Sequence, residues 1–134
     1  MSGDCPFCRI FAGSAPAHVL RRGRLTWTFL SLSGHPMVVP VRHHPHLTDL
    51  PDATAAELLV EARETAAILL RQAGVVGVNL IQSNGDAAGQ EVDHVHLHVL
   101  PRRADDGVRL TWPDAPLDNT ALARIAEAFL AAAR

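Results

Sequence analysis

The amino-acid sequence predicts an α+β domain with an antiparallel sheet and helices packed on one sheet face. Three observations predict it. Strand-length apolar runs recur between Gly and Pro breaks, one long run of helical period lies between Pro51 and Gly74, and a second begins near Asp118.

In chain order, residues 4–12 carry Cys5-Pro6-Phe7-Cys8 and a short run ended by Gly13. Residues 19–30 form two strand-like pieces broken at Gly23, and Pro36–Pro40 is an apolar run one short strand long. A histidine-rich loop follows, with His43, His44 and His46, which reads as solvated at His44 and His46, as at His18. In the long helix, Thr54-Ala55-Ala56-Glu57 fits a capping box and Gly74 is placed to end it. Leu58, Ala62, Thr65 and Leu69, with Leu59, Ala66 and Leu70 beside them, make a broad apolar face aimed at a sheet. Residues 75–82 are a strand candidate and 83–89 a polar loop. Residues 92–100 alternate strictly, which predicts a strand with two unlike faces. The last helix places Leu122, Ile125, Phe129 and Leu130 on one side.

The 134 residues suit one domain with one core, and 48% hydrophobic against 19% charged residues is globular composition. A net charge of −2 gives no reason to expect nucleic-acid binding. All twelve basic residues are arginine, which excludes Schiff-base and P-loop lysine chemistry. No run approaches the ~20 apolar residues that span a bilayer. The N-terminus lacks the charged-then-apolar pattern of a signal peptide, so the expected location is cytoplasmic, with no membrane partner. In that compartment Cys5 and Cys8 read as metal ligands or redox thiols rather than a structural disulfide.

On a strand, His94, His96 and His98 project together, roughly 6–7 Å apart, while Val95, Leu97 and Val99 face the core. Two chemistries use such a row. A metal ion can be held by alternate residues, or one imidazole can attack phosphorus while its neighbours donate to phosphate oxygens. The preceding loop, Ser83 and Asn84 through Gly89 to Gln90, is rich in donors and contains two glycines, so its backbone can approach an anion. Together the two segments favour phosphate.

Gly89 to Arg102, with His94-Val95-His96-Leu97-His98 at its centre, resembles the signature of the histidine triad (HIT) superfamily, bacterial zinc-containing type. Cys5-Pro6-Phe7-Cys8 followed by Gly13 and Pro16, and Gly34-His35-Pro36 with His43 three residues after Pro40, agree with other segments of that family. The resemblance covers residues 4–103 as a domain core, leaving 104–134 as a C-terminal extension with a helix. It implies an antiparallel sheet with one long central helix, dimerising into a continuous sheet, the seam formed by the strand and helix before Gly74. It implies hydrolysis or transfer at the α-phosphate of nucleoside phosphoramidates, dinucleoside polyphosphates or related esters. His96 would be the nucleophile, its tautomer fixed by a backbone carbonyl; His98 and Gln90 would hold phosphate oxygens or the leaving group, and His35 would flank them. It further implies a structural zinc on Cys5, Cys8, His43 and His94, and no catalytic metal.

Three positions depart from the family pattern. The segment that contacts the ribose is shortened to Ser31-Leu32-Ser33, leaving Ser31 for that contact. Glu91 stands where Ser or Thr is usual, and Ser83 where Asn or Gln is. Two further readings follow from these residues: a nucleotide-binding module with little turnover, and a metal-dependent hydrolase with His94, His96 and His98 as zinc ligands.

Overall fold

The computed structural model describes residues 4–113 and 115–134. Met1, Ser2 and Gly3, on which the expectation of no signal peptide partly rests, lie outside the described residues. Helix α1 (Pro6–Phe11) is followed by strands β1 (Val19–Arg22), β2 (Thr26–Leu30) and β3 (Pro36–Pro40), then α2 (Asp52–Leu69), β4 (Gly77–Gln82), β5 (Leu97–Arg102) and α3 (Asn119–Ala133). The strands form one antiparallel sheet in the order β1-β2-β3-β5-β4. Among the described residues no helix is long and apolar enough to cross a membrane.

Strand periodicity sends alternate side chains to opposite faces, and both faces are buried over β2 and β3. Val38, Leu97 and Val99, with Val95 just before β5, meet Leu58, Ala62 and Leu69 of α2 on one face. Phe29, Met37 and Val39 meet Cys5, Phe7 and Cys8 on the other. The helices therefore do not share one face: α2 covers one side and α1 the other. Proline at its first turn suits α1, since the missing N–H has no helical partner there. Its Phe7 packs edge-on to Phe29 with centroids 5.7 Å apart.

The apolar stripe of α2 is narrower than its sequence suggests. Leu58, Ala62, Thr65 and Leu69 are buried, but Leu59 and Leu70 are more than half exposed. The helix starts at Asp52 after Pro51, so Thr54 is interior and there is no capping box. It ends at Leu69, and Gly74 serves a later turn at φ +83°. Glu57 has a different task. Its Oε2 accepts from the Leu25 N–H (2.9 Å), the Thr26 N–H (2.6 Å) and the Thr26 hydroxyl (2.7 Å), fixing the β1–β2 hairpin to α2. Burial pushes the Glu57 carboxyl up, but those hydrogen bonds outweigh it and hold its pKa below the usual value. A Cβ on Gly23 would lie 2.7 Å from that carboxylate oxygen, so only glycine allows this approach.

Two further differences bear on the site. The strand predicted over residues 92–100 begins only at Leu97; residues 91–96 are irregular, and β3 pairs with β5 through Met37–His98 and Val38–Leu97 alone. Prolines at both ends of β3 remove two ladder donors. Strand β3, which precedes Gly74, is paired on both sides and cannot join another sheet, whereas β4 is an outer edge. Helix α3 starts as expected, with the Asp118 carboxylate accepting from the Ala121 N–H at 2.8 Å. Its Leu122, Ile125, Phe129 and Leu130 are all at least half exposed.

Candidate functional site

Because the chain is irregular before Leu97, the three histidines do not stand in one row. His94 is fully buried and turns toward the N-terminal segment. Its Nε2–H donates to the Pro40 carbonyl at 2.8 Å, leaving Nδ1 unprotonated and directed at Cys5 and Cys8. The His94 Nδ1 lies 3.3 Å from Cys5 Sγ, 3.7 Å from Cys8 Sγ and 3.2 Å from His43 Nδ1, and Cys8 Sγ lies 3.4 Å from that His43 nitrogen. All four ligand atoms lie within 4.8 Å of one another. A tetrahedral zinc with bonds of about 2.3 Å to sulfur and 2.0–2.1 Å to nitrogen spaces its ligands by about these distances. The Pro40 carbonyl supplies the outer-shell acceptor that fixes a ligating imidazole. Cys5, Cys8, His43 and His94 thus form a metal site whose donor set suits zinc. With four protein ligands it would be closed, a staple joining α1 to the sheet rather than a centre for reactive water. Burial, foremost, and the neighbouring histidines lower the His94 pKa to about 4, so the ring is neutral, as a ligand must be.

His96 is held the opposite way round. Its Nδ1 lies 2.8 Å from the His94 carbonyl oxygen. A carbonyl only accepts, so Nδ1 carries the hydrogen and Nε2 keeps its lone pair. Phe7 packs against the ring at 5.1 Å. His98, the first of the three on regular strand, lies with its ring 4.9 Å from that of His96. Its Nδ1 meets His35 Nε2 at 2.8 Å. Burial lowers the His35 pKa; burial, then the nearby His96 and His35, lower that of His98 to about 4. At neutral pH both rings are uncharged and share one N–H. The rings of His94, His96 and His98 therefore have different partners and do not converge on one ion.

His35 is set by the turn before β3. The Ser31 N–H donates to the His35 carbonyl at 2.8 Å and the Ser31 hydroxyl accepts from the His35 N–H at 3.2 Å. A cleft of about 590 Å³ opens beside it, lined by Phe7, Ile10, Phe29, Ser31, Leu32 and Met37 among others. Met37 is the register partner of His98, which puts this apolar cleft against the histidine pair. The cleft was not anticipated from sequence. Its walls come from α1, β2 and β3, and their proximity is visible only once α1 is on the sheet.

The loop after β4 divides the remaining candidates. Ser83 follows the Gln82–Leu97 pair, level with His96. Gly89 adopts φ +85° and closes a single turn over Asp86–Ala88. Asn84 and Gln90 are engaged elsewhere. Asn84 accepts from the Leu47 N–H (2.8 Å) and donates to Gln82 (2.6 Å). Gln90 is 5% exposed, accepts from the Gly85 N–H (2.7 Å), and donates to the carbonyls of Pro45 (2.8 Å) and Val92 (3.0 Å). Its amide shapes the loop and has no donor to spare for a phosphate in this arrangement. The loop histidines are less solvated than expected: His44 and His46 are half-buried, while His18 is exposed.

A five-stranded antiparallel sheet with histidines at alternate positions entering β5, two of them with rings 4.9 Å apart, defines a histidine-triad protein. The chain belongs to the HIT family: the HIT domain model matches residues 28–105, and the Cys/His set places it with the zinc-containing members. It is 33% identical to adenosine 5'-monophosphoramidase of Saccharomyces cerevisiae over 98% of this chain and 84% of that one. Its fold is similar to the crystal structure of SMU.412c from Streptococcus mutans, with a TM-score of 0.92, 30% identity and coverage of 100% of this chain and 88% of that one. A zinc-bound histidine triad family protein from Mycobacterium smegmatis matches with a TM-score of 0.73 and 33% identity over 98% of both chains.

Proposed function

We propose that this chain hydrolyses nucleoside 5'-phosphoramidates and related esters of the nucleotide α-phosphate through a nucleotidyl-histidine at His96. The observation that carries the reading is the His96 Nδ1–His94 carbonyl bond, which leaves Nε2 unprotonated, on a ring packed against Phe7, a residue that lines the apolar cleft. The Nε2 lone pair attacks the α-phosphorus and the bond from phosphorus to the leaving nitrogen breaks. If the shared hydrogen lies on His35 Nε2, His98 accepts it at Nδ1 and carries its own hydrogen on Nε2, ready to pass to the leaving amine. Water then attacks the adduct, gives its proton back to His98, and His96 leaves with its lone pair. His35 is a positioning residue here, because it sets the tautomer of His98. The cleft lined by Ile10, Phe29 and Met37 would lodge the nucleoside, with Ser31 at the ribose and Ser83 and the turn at Gly89 near the phosphate. The named activity of the yeast relative supports this substrate class.

Rapid quenching of the protein with a radiolabelled adenosine phosphoramidate tests the reading. A burst of acid-labile, base-stable label on His96 is the expected result. Tight binding with neither label nor turnover would favour a nucleotide-binding module.

The assembly belongs to the same proposal. Strand β4 has a free edge, and Leu59, Val60 and Leu80 are exposed on it and on α2. Two copies would pair through this edge into one sheet. We place the protein in the cytoplasm, where reduced thiolates at Cys5 and Cys8 remain available to zinc.

A further inference from the structure

The sheet face opposite His96 and His98 carries a second cavity, of about 490 Å³, between the C-terminal half of α2 and the ends of β2, β3 and β5. Thr28 and Leu30 of β2 and Pro101 of β5 bound it on one side, Thr65 and Leu69 of α2 on the other. Strand alternation sets the two on opposite faces, because Phe29 and Met37 point to the far side, and only Leu30, at the end of β2, borders both.

Two features distinguish this cavity from a packing defect. Thr28 and Thr65 both line it, are 1% and 4% exposed, and have hydroxyls with no hydrogen-bond partner among the described residues. A buried hydroxyl without a partner is destabilising, and valine would fill the same space without that demand. Thr65 does not even use the option open to a helical threonine, a bond back to its own helix. The second feature is charge at the mouth. Arg21 is committed to Glu61 at 2.8 Å, but the Arg103 guanidinium has no hydrogen bond or ion pair among the described residues.

We infer that this cavity is a second ligand site, taking a small amphipathic carboxylate that also carries a hydroxyl or carbonyl. The carboxylate would meet Arg103, whose planar donors match it in pairs. The aliphatic body would lie between Leu30, Leu69 and Pro101, and the inner polar group would satisfy Thr28 and Thr65. One uncommitted cation and apolar walls do not suit a polyphosphate. Two buried hydroxyls do not suit a plain hydrocarbon.

Calorimetric titration of the zinc-loaded protein with hexanoate, octanoate and decanoate, each with and without a terminal hydroxyl, tests the site. Saturable binding is expected, with one hydroxylated acid preferred by about tenfold. Thr65→Val should erase that preference and Thr65→Ser retain it. Arg103→Gln should weaken every acid by about tenfold. Phosphoramidate turnover should not change in any of these variants. The absence of saturable binding, binding unaffected by Arg103→Gln, or competition by AMP would overturn the inference. So would a marked loss of thermal stability in Thr65→Val, since the hydroxyl would then already be satisfied inside the protein.

Discussion

His94 and His96 are two residues apart, both buried, and both give one ring nitrogen to a backbone carbonyl. They differ in which nitrogen. His94 spends Nε2 on Pro40 and keeps Nδ1 for the Cys5–Cys8–His43 cluster, while His96 spends Nδ1 on His94 and keeps the lone pair on Nε2. One imidazole type thus serves a metal site and, in the function proposed, a nucleophile, and which nitrogen is left free is decided by carbonyl placement rather than by residue identity. The irregular backbone before Leu97 makes that placement possible, since a regular strand would aim both rings the same way.

The largest test of this division is removal of the open Nε2. His96→Ala or His96→Asn should lower turnover by well over ~10²-fold, because losing a nucleophile costs more than losing an acid–base contact worth about 10²–10⁴. Circular dichroism should show the fold intact. Steady-state turnover above about one hundredth of wild type would sink the nucleophile assignment.

Breaking the other half should give the complementary result. Cys5→Ser or Cys8→Ser should abolish binding of one zinc per chain and lower stability by about 3 kcal/mol, roughly 10 °C in Tm. Turnover per folded molecule should persist in part. Elemental analysis checks the metal and a melting curve the stability. If wild-type protein purified without chelator contains no metal, the assignment fails.

Much of this arrangement could be read from the residues. Gly23 and the prolines around β3 mark strand ends, and the period of Leu58, Ala62, Thr65 and Leu69 gives α2 its buried stripe. The Cys pair, with His43 and His94 from the family resemblance, gives the metal site. What could not be read depends on tertiary partners. Thr54 and Glu57 carry a local capping signature, yet Glu57 gains more from the hairpin donors at Leu25 and Thr26. Gln90 and Asn84 look like ligand donors in sequence, but their amides meet carbonyls and donors from other loops. Alternation over residues 92–100 suggests one strand, and only the pairing with β3 and β4 shows that it starts at Leu97.

A smaller effect sharpens the comparison through pH. The His98 pKa is about 4 in the folded protein against 6.5 unperturbed. Between those values the unfolded chain binds more protons, so this contribution to stability is complete above pH ~6.5 and is lost as pH falls toward ~4. In a zinc-free Cys5→Ser background, His98→Gln should reduce the pH slope of stability in that window by up to about 1.4 kcal/mol per pH unit. Urea midpoints at about pH 7 and about pH 4.5 measure it. An unchanged slope would mean that His98 titrates normally and is not held neutral beside His35.

The smallest expected effect concerns the ribose end of the cleft. A carboxylate or amide there can engage both hydroxyls at once, and a site built that way rejects an analogue lacking one, because its own polar atoms are left unpaired. Ser31 offers a single hydroxyl, and that oxygen already accepts from the His35 N–H at 3.2 Å. It retains one hydrogen to donate, and the neighbouring Leu32 side chain is fully exposed rather than folded over the cleft. Losing one ribose hydroxyl should therefore strand little on the protein side. Matched ribo- and 2'-deoxyribonucleoside phosphoramidates should differ in kcat/KM by less than about tenfold, or ~1.4 kcal/mol. Ser31→Ala should narrow even that margin, while raising KM more than it lowers kcat. A preference above roughly a hundredfold in the unaltered protein would show that another group recognises the ribose, and that Ser31 serves only to set His35.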